Sequence, residues 1–163
     1  MQQQSFGASS LVNNLLDLIA NRPRARETVS VPALITSTLN LHEDLLKPKQ
    51  ISVHANGIPE TQVRGNFHDL QQVLTNVLLN ARDAVSERGN IWISAKENGE
   101  RVEIRVKDDG KGIPADLLSR IFEPLVTTKR GQGGTGLGLA ITRRILHASD
   151  GEIAVESAPG FGA

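Results

Sequence analysis

Two asparagines and an aspartate share one side of a segment with strong helical periodicity. Asn76 and Asn80 are four residues apart, and Asp83 follows three residues later. At 3.6 residues per turn, all three side chains project from the same side of a helix. Such a polar face is commonly just solvated, but a carboxamide oxygen is also a ligand for a hard cation such as Mg²⁺. The spacing therefore indicates either a solvated face or a metal site shared with phosphates.

A first glycine-containing segment begins at Asp108, which ends a strand-like stretch and is followed by Gly110 and Gly112. Glycines two residues apart let the backbone turn sharply and let a flat ligand approach closely. The Asp108 carboxylate can accept a hydrogen bond from a ligand amino group. The alternative is an ordinary Asp-Gly turn. A calcium loop is excluded, because its twelve-residue pattern with a terminal glutamate is missing.

A second segment places five glycines within residues 131–138, directly before another helical pattern. Backbone N–H groups at a helix start favour anions, and glycines leave these groups exposed. Lys129 and Arg130 add positive charge just upstream. The string also fits the dinucleotide fingerprint, but residues 124–130 form a poor strand, and no Gly-Lys-Ser/Thr is present for a P-loop. Phosphate binding is the predicted chemistry.

The elements that position these residues follow from hydrophobic periodicity. Apolar residues at helical spacing predict helices over residues 9–20, 31–47, 68–88, about 115–122 and about 136–148. Alternation predicts strands over residues 51–55, 62–64, 91–97, 101–108 and 153–155, with turns at Asn56-Gly57 and Asn98-Gly99. Residues 21–30 are polar and basic, which is typical of a linker. The sum is an α+β domain with one mixed sheet and helices on one face.

The composition fits a single globular domain. The chain has 163 residues, of which 39% are hydrophobic and 22% charged, and 18 basic and 18 acidic residues cancel. This balance indicates no nucleic-acid or membrane-surface partner. The absence of cysteine excludes disulfides and thiolate metal sites. No apolar run approaches the roughly 18 residues of a membrane span, so we expect a cytoplasmic chain, although a parent protein can carry an anchor elsewhere.

Four motifs, in order and spacing, resemble the catalytic domain of sensor histidine kinases in the GHKL superfamily. The sequence NVLLNARDA at 76–84 resembles the N box, and DDGKGIP at 108–114 resembles the G1 box. Ile-Phe-Glu-Pro followed by Thr-Thr-Lys, within 121–129, is similar to the F box. GTGLGLA at 134–140 resembles the G2 box, and the likeness covers about residues 30–162.

The resemblance implies the Bergerat ATP-binding fold shared with DNA gyrase and MutL, a two-layer α/β sandwich of a mixed sheet and helices. Carried over by motif, Asn80 would bind a Mg²⁺ ion that bridges the ATP phosphates, and Asn76 would support the same site. Asp108 would accept a hydrogen bond from the adenine amino group. Gly110 and Gly112 would shape the floor beneath the base.

The resemblance also implies that residues 111–134 form a mobile lid over the nucleotide. Its catalytic candidates are Asn76, Asn80 and Lys129. The other expected nucleotide contacts are Asp83, Ile113, Thr128, Lys129, Gly134, Thr135, Gly136, Leu137 and Gly138. The role of Asp83 stays open, because an acid cannot attract phosphate directly.

Asn76 favours phosphoryl transfer over hydrolysis. In the hydrolysing relatives, the residue four positions before the metal-binding asparagine is a glutamate that activates water. An amide is a poor general base at neutral pH. We therefore predict a protein histidine kinase of a two-component system that uses ATP and Mg²⁺.

Two features depart from the family pattern. The F box usually carries two aromatic residues where Leu125 and Val126 stand, which predicts different packing of the lid. The last strand of the domain is expected after residues 159–162, but the sequence stops at Ala163, so we expect truncation before that strand.

The phosphoacceptor histidine of the family is expected to be missing. Residues 42–48 imitate its signature, but the proline falls one residue late and the segment lies within the catalytic domain's own first helix. We expect residues 1–22 to be the tail of the second helix of the dimerisation hairpin, 23–30 a linker, and 31–163 the ATP-binding domain. Without the rest of the hairpin, the chain is not expected to phosphorylate itself.

The expected partners are ATP or ADP, the histidine-bearing hairpin of the parent kinase and a downstream response regulator. The parent is expected to be a homodimer and this chain a monomer. Two alternatives remain open. One is a serine kinase of the anti-sigma-factor type, against which residues 1–20 argue, and the other is a nucleotide-binding scaffold without transfer activity.

Overall fold

The computed structural model describes residues 24–129 and 134–163. The helix predicted over residues 9–20 and the glycines at 131 and 133 lie outside the described residues. The elements in chain order are β1 (Glu27–Ser30), α1 (Val31–Leu46), a 3-10 turn (Lys47–Lys49), β2 (Ser52–Ala55), β3 (Gln62–Gly65), α2 (Phe67–Ala84), β4 (Asn90–Asn98), β5 (Arg101–Asp108), α3 (Ala115–Leu118) and α4 (Gly138–Ala148).

The strands form a mixed sheet, as predicted, together with a separate two-stranded pair. β4 lies at the centre of the mixed sheet, parallel to β2 and antiparallel to β5, with Ile91 opposite Asp108. β1 and β3 pair antiparallel with each other, so the five strands divide into two hydrogen-bonded groups rather than one. β2 forms one edge of its sheet, and residues 56–61 connect it to β3, which pairs with β1 instead.

Two predictions from local sequence are wrong in the structure. Residues 27–30, predicted as linker, form β1, because pairing with β3 satisfies their backbone and Val29 enters the core at 2% exposure. Residues 153–155, predicted as a strand, have no regular secondary structure. The backbone N–H of Asp108 at the end of β5 instead donates to the carbonyl of Ala163, at 2.9 Å.

Helix α2 is the element on which the site is built. It begins at Asn66, whose side chain accepts hydrogen bonds from the N–H groups of His68 and Asp69, as a capping residue does. Leu74, Leu78 and Ala81 of its predicted apolar stripe are buried, and the helix ends at Ala84, four residues before the predicted end. The core that it shares with α1 and the strands is apolar, with Val29, Val31, Leu34, Ile35, Leu74, Leu78, Ala81, Val85, Ile91, Ile93 and Ala95 buried.

The hairpin and the later helices agree with the sequence prediction. Asn98 lies opposite Arg101, which leaves Gly99 and Glu100 as a two-residue loop, and Gly99 takes a φ of 64°. α4 covers most of the predicted segment, and α3 is a single short turn. Across residues 24–129 and 134–163, no helix is long and apolar enough to cross a membrane.

Candidate functional site

The N-box side of α2 faces the F-box and G2-box segments. The amide group of Asn76 donates from Nδ2 to the carbonyl of Gly138, at 3.0 Å, and to Oγ1 of Thr142, at 3.2 Å. One α2 residue therefore fixes the first turn of α4. Thr142 is fully buried and was not identified from the sequence. A threonine four residues after Gly138, within an otherwise apolar stripe, was a usable signal.

Asn80 lies one turn further along the same face and is half-buried. Among the described residues, its carboxamide forms no hydrogen bond, so its oxygen is available to a ligand. The described part of the chain also holds no group of three or more His, Asp or Glu residues that could bind a metal. A cation at Asn80 would therefore take most of its ligands from phosphates and water, which suits Mg²⁺.

Asp83 is held between two cations. Its Oδ1 accepts from Arg82, with Nη2 at 2.6 Å, and its Oδ2 accepts from the Lys129 ammonium at 2.7 Å. Burial opposes ionisation of this carboxyl, but the hydrogen bonds and charges of Lys129 and Arg82 outweigh burial and hold its pKa below the usual range. Asp83, whose role the sequence left open, therefore binds the F-box lysine. Arg82 was not identified from the sequence.

Asp108 marks the other end of the site. Its side chain is almost fully buried, at 5% exposure, and its Oδ1 accepts from the N–H of Gly110 at 2.8 Å. Burial raises the pKa of this carboxyl, the backbone N–H groups of Gly110 and Ala163 partly offset that effect, and the charge of Asp109 adds to it. A buried carboxyl group with a raised pKa is typical of a ligand site.

The G1-box glycines are required by close backbone contacts. A Cβ on Gly110 would lie 2.6 Å from the Ala84 carbonyl at the end of α2. Gly112 has a φ of +70°, and a Cβ there would lie 2.0 Å from the carbonyl oxygen of Ala158. Ser157, which the sequence analysis did not identify, accepts from the N–H of Ile113 at 2.9 Å. Ser157 and Ala158, which follow the segment predicted as a strand, therefore support the G1 box.

The described part of the G2 box packs against the F box. The N–H of Leu125 donates to the carbonyl of Gly136 at 2.9 Å, and a Cβ on Gly136 would lie 2.6 Å from the Leu125 backbone. Gly134 lies against the Lys129 side chain. Thr135 Oγ1 accepts from the N–H of Leu137, which is 1% exposed. The family role of these residues stays a prediction, but their tight packing explains the small side chains.

The structure brings most of the predicted residues to α2, in two groups. Asn76 meets Gly138, and Asp83 meets Lys129, which itself lies against Gly134. Eight residues separate Asn76 from Ala84, a rise of about 12 Å along the helix, and the G1 box contacts the Ala84 end. Thr128 is exposed, and no described side chain contacts it by hydrogen bonding. The site thus combines the half-buried Asn80 carboxamide on α2 with the buried carboxylate of Asp108, which precedes the glycines packed on the Ala84 end of that helix.

Comparison with known proteins agrees with this arrangement. Residues 65–163 match the family described as histidine kinase-, DNA gyrase B-, and HSP90-like ATPase. Over its whole length, the chain is 37% identical to the sensor histidine kinase ZraS of Salmonella typhimurium, of which it covers 35%. It therefore spans about a third of the length of this curated relative.

Solved structures give the same family. Full-length ShkA in complex with AMPPNP is similar with a TM-score of 0.85 and 28% identity, over 98% of this chain and 35% of that one. The histidine kinase ThkA in complex with the response regulator protein TrrA is similar with a TM-score of 0.81 and 26% identity, over 98% of this chain and 46% of that one. With the family match extending over residues 65–163, the chain belongs to the histidine kinase-, DNA gyrase B- and HSP90-like ATPases, and its relatives within that family are sensor histidine kinases.

Proposed function

We propose that this chain is the ATP-binding catalytic part of a sensor histidine kinase. It binds Mg-ATP and transfers the γ-phosphoryl group to a histidine on a dimerisation hairpin, which in turn phosphorylates a response regulator. Residues 1–22, which lie outside the described residues, are proposed to be the tail of that hairpin's second helix, and the chain works in the cytoplasm, where ATP is supplied. The similarity to ShkA bound to AMPPNP and to ThkA bound to a response regulator supports the proposal.

The observation that carries this proposal is the amide at Asn76. An amide cannot take a proton from water at neutral pH, and its NH₂ group is already engaged by Gly138 and Thr142. The site therefore lacks a base at this position to activate water for hydrolysis. Transfer to an acceptor with its own nucleophilic nitrogen needs no such base, which favours a kinase over a hydrolase.

The roles of the remaining residues follow from charge and hydrogen bonding. Asn80 would hold Mg²⁺ through its carboxamide oxygen, and the ion supplies neutralisation of the phosphate charge when it is bound. Lys129 and the N–H groups of Gly134, Gly136 and Gly138 would bind phosphate oxygens, as cations and exposed amides do. Catalysis on this face is mainly positioning and electrostatic stabilisation.

Asp108 would recognise the adenine base of the nucleotide. Its buried carboxylate can accept from the exocyclic amino group of adenine, whereas guanine would present a carbonyl oxygen and repel it. The floor formed by Gly110 and Gly112 carries no side chain, so a flat ring can lie directly on the backbone. ATP is therefore the expected nucleotide, and GTP is expected to bind far more weakly.

The first test is calorimetric titration of the protein with ATP, ADP and GTP in the presence of Mg²⁺. Asp108→Asn should lose about 1.5–3 kcal/mol of ATP binding, since it removes one charged hydrogen bond. Asp109→Asn is the matched control, because this neighbouring acid is exposed and bonds to Asn90 instead of facing the glycine floor. It should bind ATP like the wild type.

The second test measures transfer of the phosphoryl group to a histidine. A separately supplied hairpin that contains the acceptor histidine should become labelled by radioactive ATP when it is mixed with this chain. A folded wild-type protein that binds no nucleotide would contradict the proposal and favour a scaffold role. Binding followed by labelling of serine rather than histidine would favour the anti-sigma-factor type of kinase.

A further inference from the structure

Asp83 divides its carboxylate between two cations. Oδ1 pairs with Arg82, its neighbour on α2, and Oδ2 pairs with Lys129, which lies 46 residues later in the F-box segment. Asp83 lies three positions after Asn80, so the two share one side of the helix. The ion pair therefore ties the F box to α2 within one turn of the expected metal ligand.

Lys129 lies next to Gly134, which is the first residue of the G2 box that the structure describes. Its side chain is 24% exposed, and its backbone N–H donates to Oγ1 of Thr127 at 3.0 Å. A Cβ on Gly134 would lie 2.5 Å from Cβ of Lys129, so the lysine stem covers this glycine. The Lys129 backbone and Cβ thus lie against one of the glycines that we assign to the phosphates, while a carboxylate binds the ammonium of this lysine.

Releasing Lys129 would leave little electrostatic penalty behind. A half-buried charge that loses its partner is costly, because its lost solvation is no longer compensated. Asp83 keeps Arg82 when Lys129 leaves, so the carboxylate stays paired. Lys129, for its part, would exchange a carboxylate for a phosphate oxygen of similar hydrogen-bonding character. The second cation therefore makes this ion pair exchangeable.

We propose that Asp83 is an affinity-determining residue that competes with the nucleotide phosphates for Lys129. In the free protein Lys129 binds Asp83, and in the nucleotide complex it binds phosphate while Arg82 retains Asp83. This inference rests on the proposed function, since it assumes that the G2 segment binds phosphate. Asp83 thereby lowers the affinity for ATP and favours release of the nucleotide.

The test compares two asparagine substitutions on the same helix by calorimetric titration with Mg-ATP. Asp83→Asn removes the competitor and should tighten ATP binding about two- to fivefold, the range expected for one partly exposed ion pair. Asp69→Asn is the control, because Asp69 also pairs with an arginine, Arg24, at 2.6 Å and is 24% exposed. It lies 14 residues, or about 21 Å, back along α2 and should leave ATP affinity unchanged.

A double-mutant cycle separates competition for Lys129 from simple removal of negative charge. Lys129→Met should weaken ATP binding, and adding Asp83→Asn to it should change nothing further. Equal or weaker ATP binding by Asp83→Asn, with a wild-type circular dichroism spectrum, would overturn the inference. A gain that persists in the Lys129→Met background would also overturn it, since the effect would then not pass through the lysine. Absence of nucleotide binding by the wild type would instead overturn the proposed function.

Discussion

The Nδ2 atom of Asn76 lies 3.0 Å from the carbonyl oxygen of Gly138, and this hydrogen bond joins the middle of α2 to the first residue of α4. The same amide group reaches Oγ1 of Thr142 one turn later, at 3.2 Å. A Cβ on Gly138 would lie 3.4 Å from Oδ1 of Asn76, so the two residues are in close contact. Asn76 therefore acts as a clamp, that is, a side chain whose hydrogen bonds join α2 to α4. In related ATPases that hydrolyse ATP, the base stands at this position.

Replacing Asn76 should destabilise the protein. Asn76→Ala removes the donor to Gly138 and to the fully buried Thr142, so the free energy of unfolding should fall by about 1–3 kcal/mol. Thr142→Val removes only one of the two bonds and should cost about 1 kcal/mol. Urea denaturation measures both, and the double variant should be less destabilised than the sum of the two. Wild-type stability for Asn76→Ala would contradict the clamp.

Two glycines with the same backbone conformation should differ in their tolerance of alanine. Gly57 has a φ of +64° and open space around the position of a Cβ, so Gly57→Ala should cost only about 1–2 kcal/mol of backbone strain. Gly112→Ala adds a clash with the Ala158 carbonyl, 2.0 Å away, and should cost about 2–5 kcal/mol. Denaturant midpoints compare the two variants. Equal costs would show that Ala158 does not pack on Gly112.

The neighbouring acids Asp108 and Asp109 should affect stability with opposite signs. Burial raises the folded-state pKa of Asp108, so its ionisation costs stability above that pKa, and the cost disappears as the pH falls below the usual aspartate range. Hydrogen bonds from Asn90 lower the pKa of Asp109, so its contribution is present at neutral pH and is lost as the pH falls through the lowered value.

At neutral pH we therefore expect Asp108→Asn to melt above the wild type and Asp109→Asn to melt below it. Both differences should shrink in acid, when the carboxyl groups of the wild type become protonated. Thermal unfolding followed by circular dichroism across this pH range gives the measurement. A stabilised Asp108→Asn variant that also binds ATP less well would show stability sacrificed for function. A less stable Asp108→Asn variant would contradict the sign.

The segment before α1 should contribute to stability through Arg26. Its guanidinium donates to the Ala148 carbonyl at the end of α4 and pairs with Asp150 at 2.7 Å. Arg26→Ala should cost about 0.5–1.5 kcal/mol, since it removes a cation from a helix C-terminus together with an ion pair. Within the described part of the chain, Arg105 pairs only with Glu103 in its own strand, so Arg105→Ala should cost less than about 0.5 kcal/mol. Equal effects in denaturation would mean that the Arg26 contacts add nothing beyond a surface pair.

Long periodic segments could be predicted because their local pattern and their packing agree. The apolar stripe of α2 continues through Leu74, Leu78 and Ala81, and these are the buried residues of that helix. The β4–β5 hairpin likewise carries its own turn signal at Gly99. β1 has a single core residue, Val29, and acquires its strand conformation from β3, which lies far along the chain. Such a strand leaves almost no local pattern to detect.

The sequence by itself determined the residue types and the order of the four boxes, because hydrophobic periods and glycine spacings are local properties of the chain. The tertiary structure decided which of these residues meet. Asn76 binds Gly138 and Asp83 binds Lys129 only because α2 lies against α4 and the F box, over separations of 62 and 46 residues. Hydrogen bonds and ion pairs require atoms within about 3 Å of each other. Contacts over such sequence separations depend on how the packed elements bring the chain back upon itself.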